Sequence, residues 1–246
     1  MSSGKVRPAT AADMKYIESW LPTDYSIGTL AMNWKTTIKM FKEGAVSVWE
    51  DATIGQPVAY CWGALNSRDS VLEVHPNYRK TGIGRKMAEF MIEAAITAGD
   101  PLLEIEIAPE SAENFWKRMR FQTYWQKNSC FGRRILQLEQ PRADGIRRSV
   151  TVEFLPASAS WSNDPAIKAL ATHNIIGTET SEGKIILEKS VAHFDLEDGA
   201  DLVMEVKVDG QSLYRGKAKH EGAKAIGVKG GRCGFMIREI IPVSES

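Results

Sequence analysis

A short segment in the first half of the chain constrains the fold more than any other. Residues 70–87 read S-V-L-E-V-H-P-N-Y-R-K-T-G-I-G-R-K-M. The apolar run at 71–74 favours a strand, and Pro76 ends it because proline has no N–H for the ladder. A basic, glycine-containing turn follows, and an apolar pattern of helical spacing starts at Met87. The segment therefore predicts a strand, a tight turn and a helix.

The predicted turn combines glycine with positive charge. Gly82 and Gly84 allow backbone N–H groups to converge on one anion, and the start of the following helix adds partial positive charge. Four basic side chains flank the glycines: Arg79, Lys80, Arg85 and Lys86. The turn is therefore a candidate diphosphate site. The alternative is an ordinary glycine turn with solvated charges.

The motif in this turn differs from two common phosphate loops. The sequence contains no G-x-x-x-x-G-K-[ST], and Met87 takes the place of the third glycine of G-x-G-x-x-G. The segment instead resembles motif A of the GNAT superfamily of N-acetyltransferases, V-x-P-x-Y-R-x-x-G-I-G. The matching residues are Val74, Pro76, Tyr78, Arg79, Gly82, Ile83 and Gly84.

The resemblance implies that acetyl-CoA is the acetyl donor, with its pyrophosphate held by the turn. The cofactor contacts it implies are Val74, His75, Arg79, Lys80, Thr81, Gly82, Ile83, Gly84, Arg85, Asn114 and Trp116. In that family, a backbone N–H on the preceding strand polarises the thioester carbonyl, which points here to Val74 or His75. No Cys/His cluster has metal-binding spacing, so we expect no metal.

Two further segments resemble the same family. Residues 6–14, V-R-P-A-T-A-A-D-M, resemble its opening strand and helix. Residues 112–122, A-E-N-F-W-K-R-M-R-F-Q, resemble A-x-x-[LF]-Y-x-[KS]-x-G-F. Two positions depart from that pattern, because Trp116 replaces the usual tyrosine and Arg120 the usual glycine. The resemblance covers residues 1–140 or so.

The apolar patterns and the resemblance together predict an α+β fold for residues 1–140, an acetyl-CoA-binding domain. We expect a mixed, mostly antiparallel sheet flanked by helices, the first two of which wall the substrate site. The predicted strands are 6–10, 45–50, 58–65, 70–74, 102–107 and a further strand beginning at 121–124. The predicted helices are 11–21, 29–42, 84–98 and 111–119.

The polar residues 140–148 mark a boundary, after which the pattern changes. Residues 146–246 predict a smaller, mostly β domain of unknown role that resembles no family we recognise. The predicted strands are 149–155, 184–194, 202–208, 212–219, 226–228 and 234–241, with a short helix at 165–172. Asp209-Gly210 suits a type I′ hairpin turn.

Acetyl transfer to an amine requires a base, and the resemblance suggests a strand carboxylate. The position that is common on the family's fourth strand falls near Arg68, which cannot serve. Glu73 and Glu104 are the candidate catalytic residues, and Glu104 matches a glutamate that ribosomal-protein acetyltransferases of this family use. Glu106 close to Glu104 would raise the pKa of one of the two. The alternative is that all three carboxylates pair with nearby Lys and Arg.

The sequence does not identify the general acid, because Trp116 stands where the family has tyrosine and an indole N–H does not titrate. Tyr78 or Tyr124 could protonate the thiolate instead. The thiolate could also leave unassisted, since a thiol pKa is about 8.5. In a third alternative the domain binds acetyl-CoA without turning it over. His75 is either a base or a turn residue, and we favour the turn residue.

The composition limits the partners and the compartment. The 31 basic and 31 acidic residues give a formal net charge of zero, so charge nominates neither nucleic acid nor an anionic membrane. The low net charge gives little protection against self-association, so a homo-oligomer is one of the forms that the composition allows. Three scattered cysteines and the lack of an apolar leader favour a cytoplasmic location.

Three functions follow from these features. The first is an N-acetyltransferase that moves acetyl from acetyl-CoA to an amine of a protein or small molecule. The second is a non-catalytic binding or assembly module of the same fold, for instance in a larger particle. The third is a toxin-like enzyme that acetylates aminoacyl-tRNA, suggested only by the basic run at 207–238. Neighbouring strands that neutralise each other would explain the same run.

Overall fold

The chain forms two compact units, Met1–Arg134 and Ile135–Ser246. The computed structural model describes residues 3–20, 29–66, 69–162, 164, 166–195 and 201–242, and the side chains of 29–32 are not described. Arg68 therefore lies outside the described residues. Within the described residues, no helix is long and apolar enough to cross a membrane, and no cluster of His, Cys, Asp and Glu could hold a metal ion.

The first unit opens with a four-stranded antiparallel meander in the order β1-β2-β3-β4. Its strands are β1 (Gly4–Pro8), β2 (Ser47–Asp51), β3 (Gln56–Trp62) and β4 (Val71–Val74). Helices α1 (Ala11–Glu18) and α2 (Thr29–Lys42) lie between β1 and β2 in the chain. The meander was predicted and is confirmed, and α2 has its predicted bounds.

Helix α1 begins where a capping box satisfies its first N–H groups. The Thr10 hydroxyl accepts from the Asp13 N–H, and the Asp13 carboxylate accepts from the Thr10 N–H at 2.7 Å. Arg7 donates two hydrogen bonds to the same carboxylate, at 2.6 and 2.9 Å. These contacts fix the helix so that Met14 and Ile17 pack in one apolar cluster with β2 and β3.

The rest of the first unit consists of two helices and a second, smaller sheet. The helices are α3 (Ile83–Ala98) and α4 (Glu113–Arg118), and the strands are β5 (Leu102–Ile107), β6 (Gln122–Gln126) and β7 (Ser129–Ile135). The sheet order is β5-β7-β6, so β4 and β5 belong to different sheets. The Glu104 N–H donates to the Leu65 carbonyl at 2.7 Å, which ties β5 to the loop before β4.

The second unit is a seven-stranded antiparallel sheet in the order β12-β11-β8-β9-β10-β14-β13. Its elements are β8 (Ile146–Leu155), β9 (Ala171–Glu179), β10 (Ile185–Phe194), β11 (Val203–Val208), β12 (Gln211–Lys217), α5 (Glu221–Ala225), β13 (Lys229–Gly230) and β14 (Gly234–Ile240). Apolar residues of β8, β10, β11 and β14 form its core. The predicted α+β class with a β-rich second part is confirmed.

Two of the elements predicted for the second unit do not form, and its predicted hairpin turn is confirmed. The helix expected at 165–172 does not form, because Leu170 N–H bonds the Phe154 carbonyl at 2.7 Å and Ala171 already begins β9. The strand expected at 226–228 lies instead in the turn after α5. The Asp209-Gly210 turn has positive φ at both residues, 49° and 82°, as a type I′ turn requires.

Candidate functional site

The turn between β4 and α3 is shaped by local backbone geometry. A one-turn 3₁₀ helix at Pro76–Tyr78 follows β4. Lys80 and Gly82 then take positive φ, 64° and 92°. The Thr81 hydroxyl donates to the Tyr78 carbonyl at 2.6 Å and closes the turn. Glycine suits position 82 because it has no Cβ to strain this conformation.

The first N–H groups of α3 have no helical acceptor. The first helical hydrogen bond joins the Lys86 N–H to the Gly82 carbonyl, at 3.2 Å. The N–H groups of Ile83, Gly84 and Arg85 therefore lie ahead of the helical ladder. A Cβ built on Gly82 would have no atom within 4 Å, so the space beside the turn is open. Open N–H groups at a helix start favour a bound anion.

The four basic side chains of the turn differ in their contacts. Arg79 donates to the Glu73 carboxylate at 2.8 Å and to the Val74 carbonyl at 3.1 Å. Arg85 pairs with Glu89 at 2.8 Å, and the Lys86 ammonium lies 4.8 Å from the centre of the Trp49 ring. Lys80 is exposed. Arg79 thus links the turn to the last residues of β4.

The backbone of β4 presents one free edge. The His75 N–H donates to the Val58 carbonyl at 2.9 Å, so this pair is hydrogen-bonded in the ladder with β3. Because hydrogen-bonded and non-bonded pairs alternate in antiparallel sheets, the N–H groups of Leu72 and Val74 point away from β3. The structure thus directs the Val74 N–H, not that of His75, to the edge that faces away from the meander.

His75 itself contacts aromatic side chains. Its ring meets Trp20 and Tyr78 edge-on, with ring centres 5.1 and 5.7 Å apart. Its Nδ1 accepts from the Asn77 N–H at 3.3 Å, as a cap of the 3₁₀ turn does. Burial and the nearby Arg79 lower the pKa of His75. These contacts are those of a turn residue.

A cavity of about 320 Å³ brings the elements of the first unit together. Its wall includes Asn33 of α2, Glu73 of β4, Met91 of α3, Glu106 of β5 and Trp116 of α4. Gly84 lies close to the same elements, because a Cβ there would be 3.5 Å from Val74 and 3.8 Å from Phe115. Of the predicted site residues, Glu73 and Trp116 line the cavity, and Gly84 at the start of α3 lies beside the strand and the helix that carry them.

Glu73 lines this cavity and is mostly buried, with 15% of its side chain exposed. Burial raises its pKa, and the hydrogen bond from Arg79 opposes that rise. Tyr60 lies directly opposite in the β3–β4 register and is fully buried, which raises its pKa as well. Glu73 thus has the surroundings of a carboxylate whose affinity for a proton is increased.

Glu104 lies in a different environment. Its carboxylate accepts from Arg133 at 2.8 Å and from the Tyr124 hydroxyl at 2.9 Å. The Arg133 guanidinium lies 4.6 Å from the centre of the Tyr124 ring. Two residues of β5, Ile105 and Glu106, are among the described residues that line the cavity, and Glu104 is not. These contacts join the three strands of the smaller sheet, and catalysis by Glu104 stays a prediction.

Trp116 is 8% exposed and packs edge-on between Phe115 and Phe121, at 5.0 and 5.1 Å between ring centres. It also lines the cavity. Asn114 is exposed on α4. The two tyrosines considered as acids are engaged, Tyr78 against His75 and Tyr124 with Glu104.

The cavity wall also includes residues that the sequence did not predict as part of a site, among them Asn33, Thr36 and Trp62. Trp62 faces Val71 in the β3–β4 register and donates to the Thr37 hydroxyl at 2.9 Å. Their place depends on how α2 packs and on strand register, which the sequence does not encode locally. The one signal was the family's use of its first two helices as a wall.

The basic run of the second unit is paired with acidic residues. Glu205 of β11 bonds Arg215 of β12 at 2.9 Å, and Lys207 bonds Glu153 of β8 at 2.8 Å. Asp201 contacts both Lys217 and Lys219. These four ion pairs agree with the alternative in which neighbouring segments of the second unit neutralise each other.

Residues 13–121 match the model of the acetyltransferase (GNAT) family. No curated protein matches the chain. Solved structures similar to it include a GNAT family acetyltransferase from Listeria monocytogenes, with 13% identity over 55% of this chain and 98% of that chain and a TM-score of 0.43. Another is a phosphinothricin acetyltransferase from Sinorhizobium meliloti in complex with AcCoA, with 18% identity, 55% and 89% coverage and a TM-score of 0.41. A third is a GNAT family N-acetyltransferase from Escherichia coli in complex with CoA, with 16% identity, 55% and 82% coverage and a TM-score of 0.41.

Proposed function

We propose, on the premise that residues 13–121 belong to the GNAT acetyltransferase family, that this protein is an acetyl-CoA-dependent N-acetyltransferase acting on an amine of a protein or small molecule. The observation that carries the proposal is the start of α3 beside Val74 and Phe115, since β4 and α4, which carry these two residues, also line the cavity. We assign donor binding to residues 1–140, and to residues 146–246 a role in substrate choice or assembly.

The residues of the turn fit a diphosphate. The N–H groups of Ile83, Gly84 and Arg85 are available at the start of α3, and the space beside Gly82 is open. Exposed Lys80 and the arginines Arg79 and Arg85 supply full positive charge near these groups. Thr81 holds the turn closed. Asn114 and Trp116 of α4 would contact the remainder of the donor.

The free edge of β4 supports a role for Val74. An N–H directed away from β3 is a fixed donor that can stabilise negative charge developing on a carbonyl oxygen. We assign this role to the Val74 N–H. The His75 N–H is engaged with Val58 and is left to position the strand.

Glu73 is the base that the geometry favours. Acetyl-CoA supplies a thioester. As the amine nitrogen bonds the acyl carbon, the C–S bond breaks and CoA leaves as a thiolate, the conjugate base of a thiol with a pKa of about 8.5. Glu73 accepts the proton that the nitrogen loses, from within the cavity. Arg79 holds the Glu73 carboxylate at 2.8 Å and keeps it oriented.

A second function is favoured by one observation. Trp116 is buried among aromatic rings at the position where the family's tyrosine acts as acid. A protein that binds acetyl-CoA without turnover, as a binding or assembly module, would need no acid there. An enzyme in which the thiolate leaves unassisted would also need no acid at this position. Release of CoA therefore distinguishes the two functions, and the presence of Trp116 does not.

Calorimetry with acetyl-CoA, followed by a thiol-release assay on a panel of amines, tests the proposal. We expect binding to the full chain and CoA release with at least one amine. Gly82→Val should weaken binding at least about tenfold, because a side chain would enter the open space beside the N–H groups. Gly55→Val is the matched control, since Gly55 also has positive φ and open space but lies in the β2–β3 turn.

The outcomes separate the candidates. Binding without CoA release on any amine would favour the module. No binding to the full chain, or equal loss of affinity in both glycine variants, would refute the site.

A further inference from the structure

Helix α2 buries a polar residue in the middle of its apolar face. Thr37 is 0% exposed, and no other described side chain of α2, at 33–42, is buried to that degree. Its apolar neighbours Trp34, Ile38 and Phe41 pack on the core cluster of the meander and are only partly buried. A buried hydroxyl lowers stability unless it is hydrogen-bonded. The partners of this hydroxyl therefore show what Thr37 contributes.

The Thr37 hydroxyl makes two hydrogen bonds. It donates to the Asn33 carbonyl at 2.9 Å and accepts from the indole N–H of Trp62, on β3, at 2.9 Å. In an α-helix the carbonyl of residue 33 also accepts the backbone N–H of residue 37, so the helix itself does not depend on the hydroxyl. Trp62 is only 5% exposed, and loss of the hydroxyl would leave its N–H as a buried donor without this acceptor.

This hydrogen bond joins two walls of the cavity. Asn33 and Thr36 of α2 line one side of it. Trp62 lies opposite Val71 in the β3–β4 register, and both of these strand residues also belong to the lining. The bond from Trp62 to Thr37 therefore connects the helix wall directly to the strand wall.

The bond adds a directional contact to an apolar interface. The packing of Trp34, Ile38 and Phe41 holds α2 on the meander, but apolar burial is non-directional. A hydrogen bond restricts both distance and angle, and a single buried polar residue can select one register among several that pack equally well. The bond between Thr37 and Trp62 is thus suited to fix the position of α2 relative to β3 and β4.

We infer that Thr37 is a positioning residue of the acceptor site, whose hydroxyl acts through Trp62 to hold the α2 wall in the arrangement that binds the amine. The inference rests on the proposed N-acetyltransferase function, in which the amine occupies the cavity beside Glu73. Thr37 takes no part in the bond exchange. Its loss therefore affects binding of the amine and spares the chemical step.

Removal of the hydroxyl tests the inference. The full chain is assayed by thiol release at saturating acetyl-CoA with butylamine, benzylamine and a peptide that has one free lysine. Thr37→Val keeps the shape of the side chain and should raise KM for the amine about three- to tenfold, because the competent wall is then only part of the population. The kcat at saturating amine, and the acetyl-CoA affinity measured by calorimetry, should stay within about twofold. Thr37→Ser is the matched control, which keeps the hydroxyl and should keep KM.

A double-mutant cycle shows whether the effect passes through the indole. Trp62→Phe removes the N–H and keeps an aromatic ring, so it should raise KM by itself. Thr37→Val added to Trp62→Phe should change KM by less than about twofold, since the bond is already lost. Hydrogen exchange of the Trp62 indole N–H, followed by NMR, should be slow in the wild type and in Thr37→Ser and faster in Thr37→Val.

Three results would overturn the inference while the proposed function stands: an unchanged KM in Thr37→Val, an equal rise in Thr37→Ser, or a full Thr37→Val effect in the Trp62→Phe background. A parallel loss of acetyl-CoA affinity in Thr37→Val would also overturn it, because that loss would indicate general damage to the fold. No CoA release by the wild-type chain with any amine would instead overturn the proposed function, and the role of Thr37 at the acceptor wall with it.

Discussion

Replacing Glu73 and Glu104 separately by glutamine should affect two different properties. Both carboxylates lie on strands of the first unit and both are bonded to an arginine. Glu73 lines the cavity and Glu104 joins the smaller sheet. We therefore expect Glu73→Gln to reduce catalysis and Glu104→Gln to reduce stability.

For Glu73→Gln the expected loss is in kcat. A positioned general base contributes about 100- to 10,000-fold, and glutamine cannot accept the proton. The cost to folding is small, because the partner Arg79 is 57% exposed and such pairs contribute under about 1 kcal/mol. The glutamine carbonyl oxygen can still accept from Arg79, so the turn keeps its geometry.

For Glu104→Gln the expected loss is in the free energy of unfolding. The Glu104 side chain is 9% exposed and accepts from both Arg133 and Tyr124. Charge-assisted bonds of this kind contribute about 1.5–3 kcal/mol each, and removing one buried partner leaves the other uncompensated. Arg133 keeps some exposure and glutamine retains an acceptor, so we expect a loss of roughly 2 kcal/mol.

Steady-state thiol release at saturating acetyl-CoA and denaturant unfolding of the full chain measure the two effects. We expect each variant to change one property and to spare the other. The opposite outcome would be a Glu73→Gln variant with full kcat and a Glu104→Gln variant that loses about 100-fold in kcat with unchanged stability. That result would assign the base to Glu104.

Three further predictions follow from single contacts. Arg79→Gln removes the hydrogen bond that opposes the raised pKa of Glu73, so the acid limb of the kcat profile should move to higher pH; an unmoved limb contradicts this role. Burial raises the pKa of Asp13, but bonds from Arg7 and Thr10 outweigh it and lower the pKa to about 2. Asp13→Asn should therefore cost ~2 kcal/mol of stability at neutral pH, and a pH series of denaturant melts should show that difference shrinking below pH 3.8. Gly210→Ala should cost about 1 kcal/mol in the same melts, because φ is 82° there and no atom lies within 4 Å of the added Cβ, and a neutral result would contradict backbone strain.

Local patterns predicted much of the first unit. Helix α2 has its expected bounds because Trp34, Ile38 and Phe41 recur at helical spacing, and all three pack against the same apolar cluster. Strand β5 also has its expected bounds, Leu102–Ile107. The turn was found because its glycines and charges are contiguous in sequence.

Non-local contacts decided what the sequence did not predict. Residues 166–170 have good helix formers, yet Ile167 and Ala169 pack on a buried cluster that includes Leu155 and Val203. Strand β9 forms because it pairs with β8 along nine residue pairs. Glu73 is bonded to Arg79 and Glu104 to Arg133, and only the folded sheets show which arginine meets which carboxylate.

The most direct test of the account is a crystal structure of the full chain with CoA. We expect the pyrophosphate to contact the N–H groups of Ile83, Gly84 and Arg85 and the thiol to reach the cavity lined by Glu73. A pyrophosphate bound elsewhere, or a thiol directed away from that cavity, would contradict it.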